Sequence, residues 1–202
     1  MFDERLRDTK EALFIQLALS FRLNYIHPLW LTAVGFLFGL LAGFCLWQQA
    51  YGWGLIFWWL NRIFDGLDGT VARTESLQTD LGGYLDILAD FAIYALIPVS
   101  LVMAAPTIPS FVTLAFLLST FYLNAASWMY LSALLEKRRW SYARPKTSVN
   151  MPAGLIGGGE TILFYSVFIL WPSWVVPLFG LMGLLVLATV VQRIVWATHH
   201  LS

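Results

Sequence analysis

The sequence predicts an all-α membrane protein, with six transmembrane helices preceded by an amphipathic interfacial helix. Three observations predict it. Hydrophobic residues make up 59% of the chain and charged residues only 12%, against about 25% charged in a soluble domain. Six stretches approach the roughly 20 apolar residues that a helix needs to cross a bilayer. All twelve Lys and Arg residues then fall on, or within about a turn of, one side of that six-span arrangement. Mean hydropathy is +0.70. At 202 residues the chain reads as one membrane domain, with residues 1–28 as the interfacial helix and residues 29–197 as the six-helix bundle.

Taken in order, the start MFDERLRDTKEALF is charged with both signs and does not resemble a cleavable signal peptide. Charged residues from Asp3 to Glu11 give way to Leu13, Phe14, Leu17, Leu19 and Phe21. That pattern suits a helix lying on the membrane surface, and His27-Pro28 breaks it. The spans follow at about 29–49, 53–72, 80–104, 109–135, 153–171 and 173–196. Gly52, Pro106, Pro109, Pro145, Pro152 and Pro172 punctuate the connectors. Ten Trp residues suit interfacial belts and core packing. Cys45 lies alone in an apolar run, which excludes a disulfide framework and fits a small core residue.

Charge sets the orientation. The basic residues are Arg5, Arg7, Lys10, Arg22, Arg62, Arg73, Lys137, Arg138, Arg139, Arg144, Lys146 and Arg193, while the connectors QQAYG, AAPTIPS and WPSW carry no charge. Because positive residues mark the cytoplasmic side, both termini are expected there. A formal net charge of zero gives no global electrostatic signal for nucleic acid.

Residues 65–90, DGLDGTVARTESLQTDLGGYLDILAD, are the chemical centre of the sequence. Asp65 and Asp68 are three apart at the end of the second span, and Asp86 and Asp90 four apart near the start of the third. Each pair shares a helix face, and a short turn lets the two pairs converge. Clustered carboxylates repel unless a cation or proton lies among them. With no nearby His or Cys, the set favours a hard divalent cation, Mg²⁺ first and Mn²⁺ second. Asp80 instead stands where a helix N-cap is expected. Gly69 and Ala72 leave room for a bulky group beside the backbone, and Gly82 clears the face of Asp86 one turn on. Arg73 brings a planar fork of donors suited to phosphate, and Thr79 adds a hydroxyl. Close helix packing is the plain alternative for the glycines.

Asp65, Asp68, Gly69, Ala72, Arg73, Gly82, Asp86 and Asp90 match every fixed position of D-x2-D-G-x2-A-R-x8-G-x3-D-x3-D. In this the chain resembles the CDP-alcohol phosphotransferases, membrane enzymes of phospholipid synthesis. Its wording around the motif is similar to small bacterial inner-membrane members. The resemblance implies transfer of a phosphatidyl group from a CDP-alcohol, usually CDP-diacylglycerol, to an acceptor hydroxyl, with release of CMP. It implies Asp65, Asp68 and Asp86 as metal ligands, with Asp90 as general base and also within reach of the metal. Gly69, Arg73 and Thr79 would contact the CDP moiety. Thr32 carries over as a nucleotide contact from a Pro-Asn-x-Leu-Thr pattern, here Pro28-Leu29-Trp30-Leu31-Thr32, whose Asn is replaced by Leu29. The resemblance further implies a homodimer in the cytoplasmic membrane, with the active site facing the cytoplasm.

Two other classes compete. A membrane prenyltransferase needs two Asp-rich motifs far apart, and this chain has one compact motif. A cation channel or transporter needs acids along the pore to the far side, and the far-side connectors have none. The basic stretch Lys137–Lys146 suits either a phosphorylated acceptor or anionic lipid headgroups, the latter favoured. Glu160, after Gly157-Gly158-Gly159, either lines an acceptor cavity or faces interfacial water beside a Gly154/Gly158 packing seam.

Overall fold

The computed structural model describes Phe14, Gln16 and residues 26–141 and 154–201. These residues form six α-helices and one 3-10 turn, with no strand among them. They divide into two compact units, Met1–Ala104 and Ala105–Ser202.

In the first unit, α1 (Pro28–Trp47) starts where His27 turns the chain into an extended conformation and its Nδ1 accepts the Leu29 N–H at 3.3 Å. Pro28 suits the first helical position because an N–H there has no intrahelical partner. After Gln48–Ala50, with Gln49 left-handed at φ 60°, α2 (Tyr51–Thr74) runs back. Gly52 therefore lies in the first turn of α2 rather than in a connector, and the break falls before it. The turn after α2 contains Ser76 at φ 55° and leads into α3 (Asp80–Ala104). The cap of α3 is Thr79, whose Oγ1 accepts the Gly82 N–H at 3.0 Å. Asp80 is the first helical residue, not the cap: its negative charge lies against the positive end of the helix dipole.

Helix α1 packs along both α2 and α3, which meet each other more sparsely. A glycine stripe makes this approach close. A Cβ on Gly35 would lie 3.1 Å from Phe64 Cβ, one on Gly39 would lie 2.4 Å from Ile93 Cδ1, and one on Gly43 would lie 2.7 Å from Leu96 Cδ2. Trp58, Ile93, Ile97 and Leu46 are fully enclosed in this unit.

The second unit holds α4 (Ile108–Ser141), α5 (Gly158–Leu170), the 3-10 turn Pro172–Trp174 and α6 (Val175–Leu201). Thr107 and Ser110 cap α4 reciprocally, the Ser110 N–H donating to Thr107 Oγ1 at 3.2 Å and the Thr107 N–H to Ser110 Oγ at 3.0 Å. Helix α4 packs along α6, and the core is aromatic, with Phe168 and Phe179 rings 4.8 Å apart.

Four stretches are long and apolar enough to cross a membrane: Pro28–Trp47, Asp80–Ala104, Ile108–Arg138 and Pro172–Leu201. Two of the six expected spans differ. Helix α2 has the length, at 24 residues, but its second half carries the motif's charges. Helix α5 has 13 residues, about 20 Å at 1.5 Å per residue, against a hydrocarbon layer of about 30 Å. The helix begins inside the glycine run, with Gly157 as its cap and Gly158 and Gly159 as its first two residues, and it ends at Leu170, just before Pro172. The fourth span is longer than expected, and the sixth continues through His199 and His200. The expected surface helix lies outside the described residues except for Phe14 and Gln16, both helical. Phe14 packs on the cluster of Leu31, Leu67 and Val71.

Candidate active site

The second half of α2, the first half of α3 and the start of α1 surround two adjoining cavities. The larger, about 220 Å³, is lined by Thr32, Asp68, Gly69, Ala72, Arg73, Thr79, Gly82 and Asp86, together with His27, Leu77, Gln78 and Gly83. The smaller, about 10 Å³ and so near the size of one water, is lined by all four motif aspartates with Asn61, Arg62 and Thr32. The cavities share Thr32, Asp68 and Asp86. The two acid pairs converge on the smaller cavity, as their spacing predicts, and one member of each, Asp68 and Asp86, also reaches the common wall.

The carboxylates differ in their surroundings. Asp68 is buried, and Thr32 Oγ1 donates to its Oδ2 at 2.6 Å. The Thr32 hydroxyl thus serves a carboxylate, at the same time as it lines the larger cavity. Asp90 Oδ1 accepts from Arg62 Nη2 at 2.8 Å, and Asp65 Oδ2 lies 3.7 Å from Arg62 Nη1. Arg73 is exposed at the rim, with Nη2 3.4 Å from Thr70 Oγ1. Gly69 accommodates it: a Cβ there would come within 3.3 Å of Arg73 Nη1. Gly82 is tight against the cap, since its Cβ would lie 3.0 Å from Thr79 Oγ1.

Four carboxylates around one small space, opposed by a single buried arginine, form an oxygen donor set with excess negative charge. That chemistry fits a hard divalent cation. Among the described residues, however, no three His, Cys, Asp or Glu side chains stand close enough together to hold a metal as they are. Beside the acids, the larger cavity offers a guanidinium, a hydroxyl and glycine-lined backbone, the kinds of group that receive a phosphate ester.

The family model for CDP-alcohol phosphatidyltransferase matches residues 25–195. The chain belongs to the CDP-alcohol phosphatidyltransferase family. It is 38% identical over 178 residues to Inner membrane protein YnjF of Escherichia coli (strain K12), a match covering 85% of this chain and 82% of that protein. CDP-alcohol phosphatidyltransferases move substituted phosphate groups, so this chain is a transferase, embedded in the membrane by several apolar helices. Family membership displaces the prenyltransferase and the cation channel or transporter as leading accounts.

Arg62 is the site residue that charge counting passes over, because it reads there as one more interfacial cation. Its position three residues before Asp65, on the same helix face, is the signal that points to it. It is buried, its guanidinium carbon lies 5.0 Å from the Trp58 ring centroid and 4.9 Å from that of Tyr94, and it donates through Nε to Asn61 Oδ1 and through Nη1 to Tyr94 Oη, each at 2.8 Å. His27, Gln78 and Gly83 are also wall residues without a prior assignment.

The remaining candidates resolve locally. Glu160 Oε2 accepts the Gly157 N–H at 3.0 Å and caps α5. Gly154 is pressed on Thr189, 2.1 Å from Thr189 Cγ2 if given a Cβ, whereas Gly158 meets open space, so only half of the expected seam exists. Of the basic stretch, Arg138 bonds the Leu201 and His200 carbonyls at the end of α6. Residues 142–150 lie outside the described residues.

Proposed function

We propose that this chain transfers a phosphatidyl group from CDP-diacylglycerol to an acceptor hydroxyl, with release of CMP, in phospholipid synthesis. The observation that carries the reading is the shared wall. The cavity with Arg73, Gly69, Ala72, Thr79 and Gly82 meets the acid-lined cavity at Asp68 and Asp86. A pyrophosphate held by Arg73 in the larger space therefore presents its phosphorus atoms towards the carboxylates.

Asp65, Asp68 and Asp86 would hold Mg²⁺, or Mn²⁺ in its place. Such an ion supplies charge compensation for the pyrophosphate and the departing CMP. Asp90 takes the proton of the acceptor hydroxyl, since an alcohol is a weak nucleophile until deprotonated. The acceptor oxygen bonds to the β-phosphorus. The bond from that phosphorus to the bridging oxygen breaks, and its electron pair leaves with CMP. Thr32 holds Asp68, and Thr79 adds a donor for the nucleotide phosphates.

The reading includes an inner-membrane location, as in the name of the related Escherichia coli protein, an active site and termini on the cytoplasmic side, and a homodimer. Light scattering with the detergent contribution subtracted reads the protein mass. Transfer is tested in detergent with labelled CDP-diacylglycerol and a panel of acceptors. We expect metal-dependent CMP release that falls by about 100-fold or more in Asp90→Asn, with donor binding retained. Normal turnover in Asp90→Asn removes Asp90 as the base. No consumption of CDP-diacylglycerol with any acceptor removes the donor assignment.

A further inference from the structure

Among the described residues, Ser100 is the buried polar side chain that has no hydrogen bond, whereas Asn61, Arg62, Asp68, Thr70, Ser110, Thr120, Thr161, Ser166 and Thr189 each have at least one. A helical serine can turn its hydroxyl back to the carbonyl four residues earlier, as Ser119, Ser132 and Ser166 do at 2.7, 2.9 and 2.9 Å. Ser100 does not. It is 6% exposed, and its Oγ lies towards α1, 3.2 Å from where a Cβ on Gly43 would stand. A buried hydroxyl without a partner is costly, and hydrocarbon supplies no water to replace one.

This hydroxyl lines a groove of about 330 Å³ between α1 and α3. Leu40, Phe44 and Trp47 of α1 and Leu96 and Met103 of α3 form its apolar walls. Both helices belong to the first unit, and both are long and apolar enough to cross a membrane. The groove lies away from the aspartates, since Ser100 stands ten positions after Asp90, or about 15 Å along the helix axis. Leu40, Phe44, Trp47 and Met103 are exposed, so the groove opens sideways from the helix pair.

We propose that the groove binds one acyl chain of a membrane glycerolipid, whose ester carbonyl accepts the Ser100 O–H. Charge and hydrogen-bonding capacity both select this occupant. The groove holds no charged side chain, and the adjoining connector QQAYG has none, which suits an apolar chain under a headgroup without net charge. An ester carbonyl accepts a hydrogen bond and donates none, the complement of a hydroxyl with a free proton. Trp47 and Met103 stand in the last turns of their helices, where an indole suits the membrane–water boundary. Ser100 lies four residues before the end of α3 at Ala104, about 6 Å further in, at the level where ester groups meet the hydrocarbon layer. A helix of a second copy matches the apolar walls but not the hydroxyl, because its carbonyls are bonded within their own helix. The site is independent of the transfer reading, and no CDP-alcohol enters its test.

The test is lipid binding to the delipidated full chain in detergent, read by native mass spectrometry. The probes are dioleoyl phosphatidylethanolamine and the ether-linked analogue with the same headgroup, which lacks the carbonyls. The wild type should bind the ester about fivefold more tightly than the ether, the effect of one hydrogen bond in a membrane. Ser100→Ala should bind both lipids with the wild type's affinity for the ether. It should also melt no lower than the wild type without lipid, because the hydroxyl it removes has no protein partner. Val99→Phe, on the groove wall, should weaken both lipids by about fivefold or more; if it does not fold, Leu40→Trp on the exposed rim takes its place. An ester preference that survives in Ser100→Ala overturns the proposal. Equal binding of ester and ether by the wild type also overturns it and leaves water as the partner of Ser100, and unchanged lipid affinity in the groove-filling variant overturns it as well. A lipid-free dimer that the groove-filling variant splits into monomers gives the groove to a second copy and overturns the lipid.

Discussion

Arg62 and Arg73 lie eleven positions apart on one helix and have opposite surroundings. Arg62 is buried with three hydrogen-bonded partners, whereas Arg73 is exposed at the rim of the larger cavity. Their substitutions should therefore separate kinetically. Arg73→Ala removes a donor fork from bound pyrophosphate. It should raise KM for CDP-diacylglycerol by about tenfold, the size of a charge-assisted hydrogen bond of roughly 1.5–3 kcal/mol, and leave metal affinity unaltered. Unchanged donor affinity by competition with CDP would take Arg73 out of the site. Thr32→Val keeps shape and deletes the hydroxyl that donates to Asp68. It should reduce turnover through Asp68, and a lesion confined to nucleotide binding would instead make Thr32 a nucleotide contact. The eight motif positions were legible in the sequence because they match the family's pattern at every fixed position, and the two acid pairs also because their spacing puts each on one helix face. Arg62 was not, because hydropathy and charge counts do not distinguish a snorkelling interfacial cation from a buried one. Only the aromatic rings of Trp58 and Tyr94 and the carboxylate of Asp90, brought together from two helices, make that distinction.

The helices show why the site is held open. Helix α1 is the common wall of the first unit, and Gly35, Gly39 and Gly43 let α2 and α3 approach it closely while they meet each other sparsely. The space between α2 and α3 is the acid-lined cavity. This stripe, spaced by four, is visible in GFLFGLLAG, but a hydropathy count treats it as part of an apolar span. The same count made α5 too long by including residues 154–157, which precede the helix. Gly39 gives the most specific test, because its added Cβ would collide with the end of Ile93, at 2.4 Å from Cδ1, and come within 3.2 Å of Asn61 Nδ2. Gly39→Ala should lower the melting temperature in detergent, overpacking costing about 1–3 kcal/mol, and reduce activity by disturbing the Asn61–Arg62 chain. Ile93 Cγ1 would lie at 2.6 Å as well, so Ile93→Ala is needed to remove both colliding atoms, and Gly39→Ala/Ile93→Ala should lose less stability than the two single changes summed. If the losses simply add, the clash is not the cause.

At the scale of the whole chain, the open quantity is direction across the bilayer. The family match runs from residue 25 to 195 and so takes in both compact units, but it does not orient them. Orientation follows from charge. The turn between α2 and α3 lies beside Arg73 and the carboxylates, whereas Gln48 and Gln49, between α1 and α2, lie at the other end of α2 in a segment without charge. Basic residues are retained on the cytoplasmic side during insertion, and a water-soluble nucleotide headgroup must reach the Arg73 cavity from the compartment where it is made. Both considerations support the proposed cytoplasmic placement of the α2–α3 turn. In a Cys45→Ala background, Gln78→Cys should resist a membrane-impermeant maleimide in intact spheroplasts and react after lysis, while Gln48→Cys should react before lysis. Both positions are exposed, so a missing reaction in the intact cell reports sidedness rather than burial. The reverse pattern would put the nucleotide cavity on the outer face, away from its donor, and would contradict the cytoplasmic active site together with the transfer from a CDP-alcohol made in the cytoplasm.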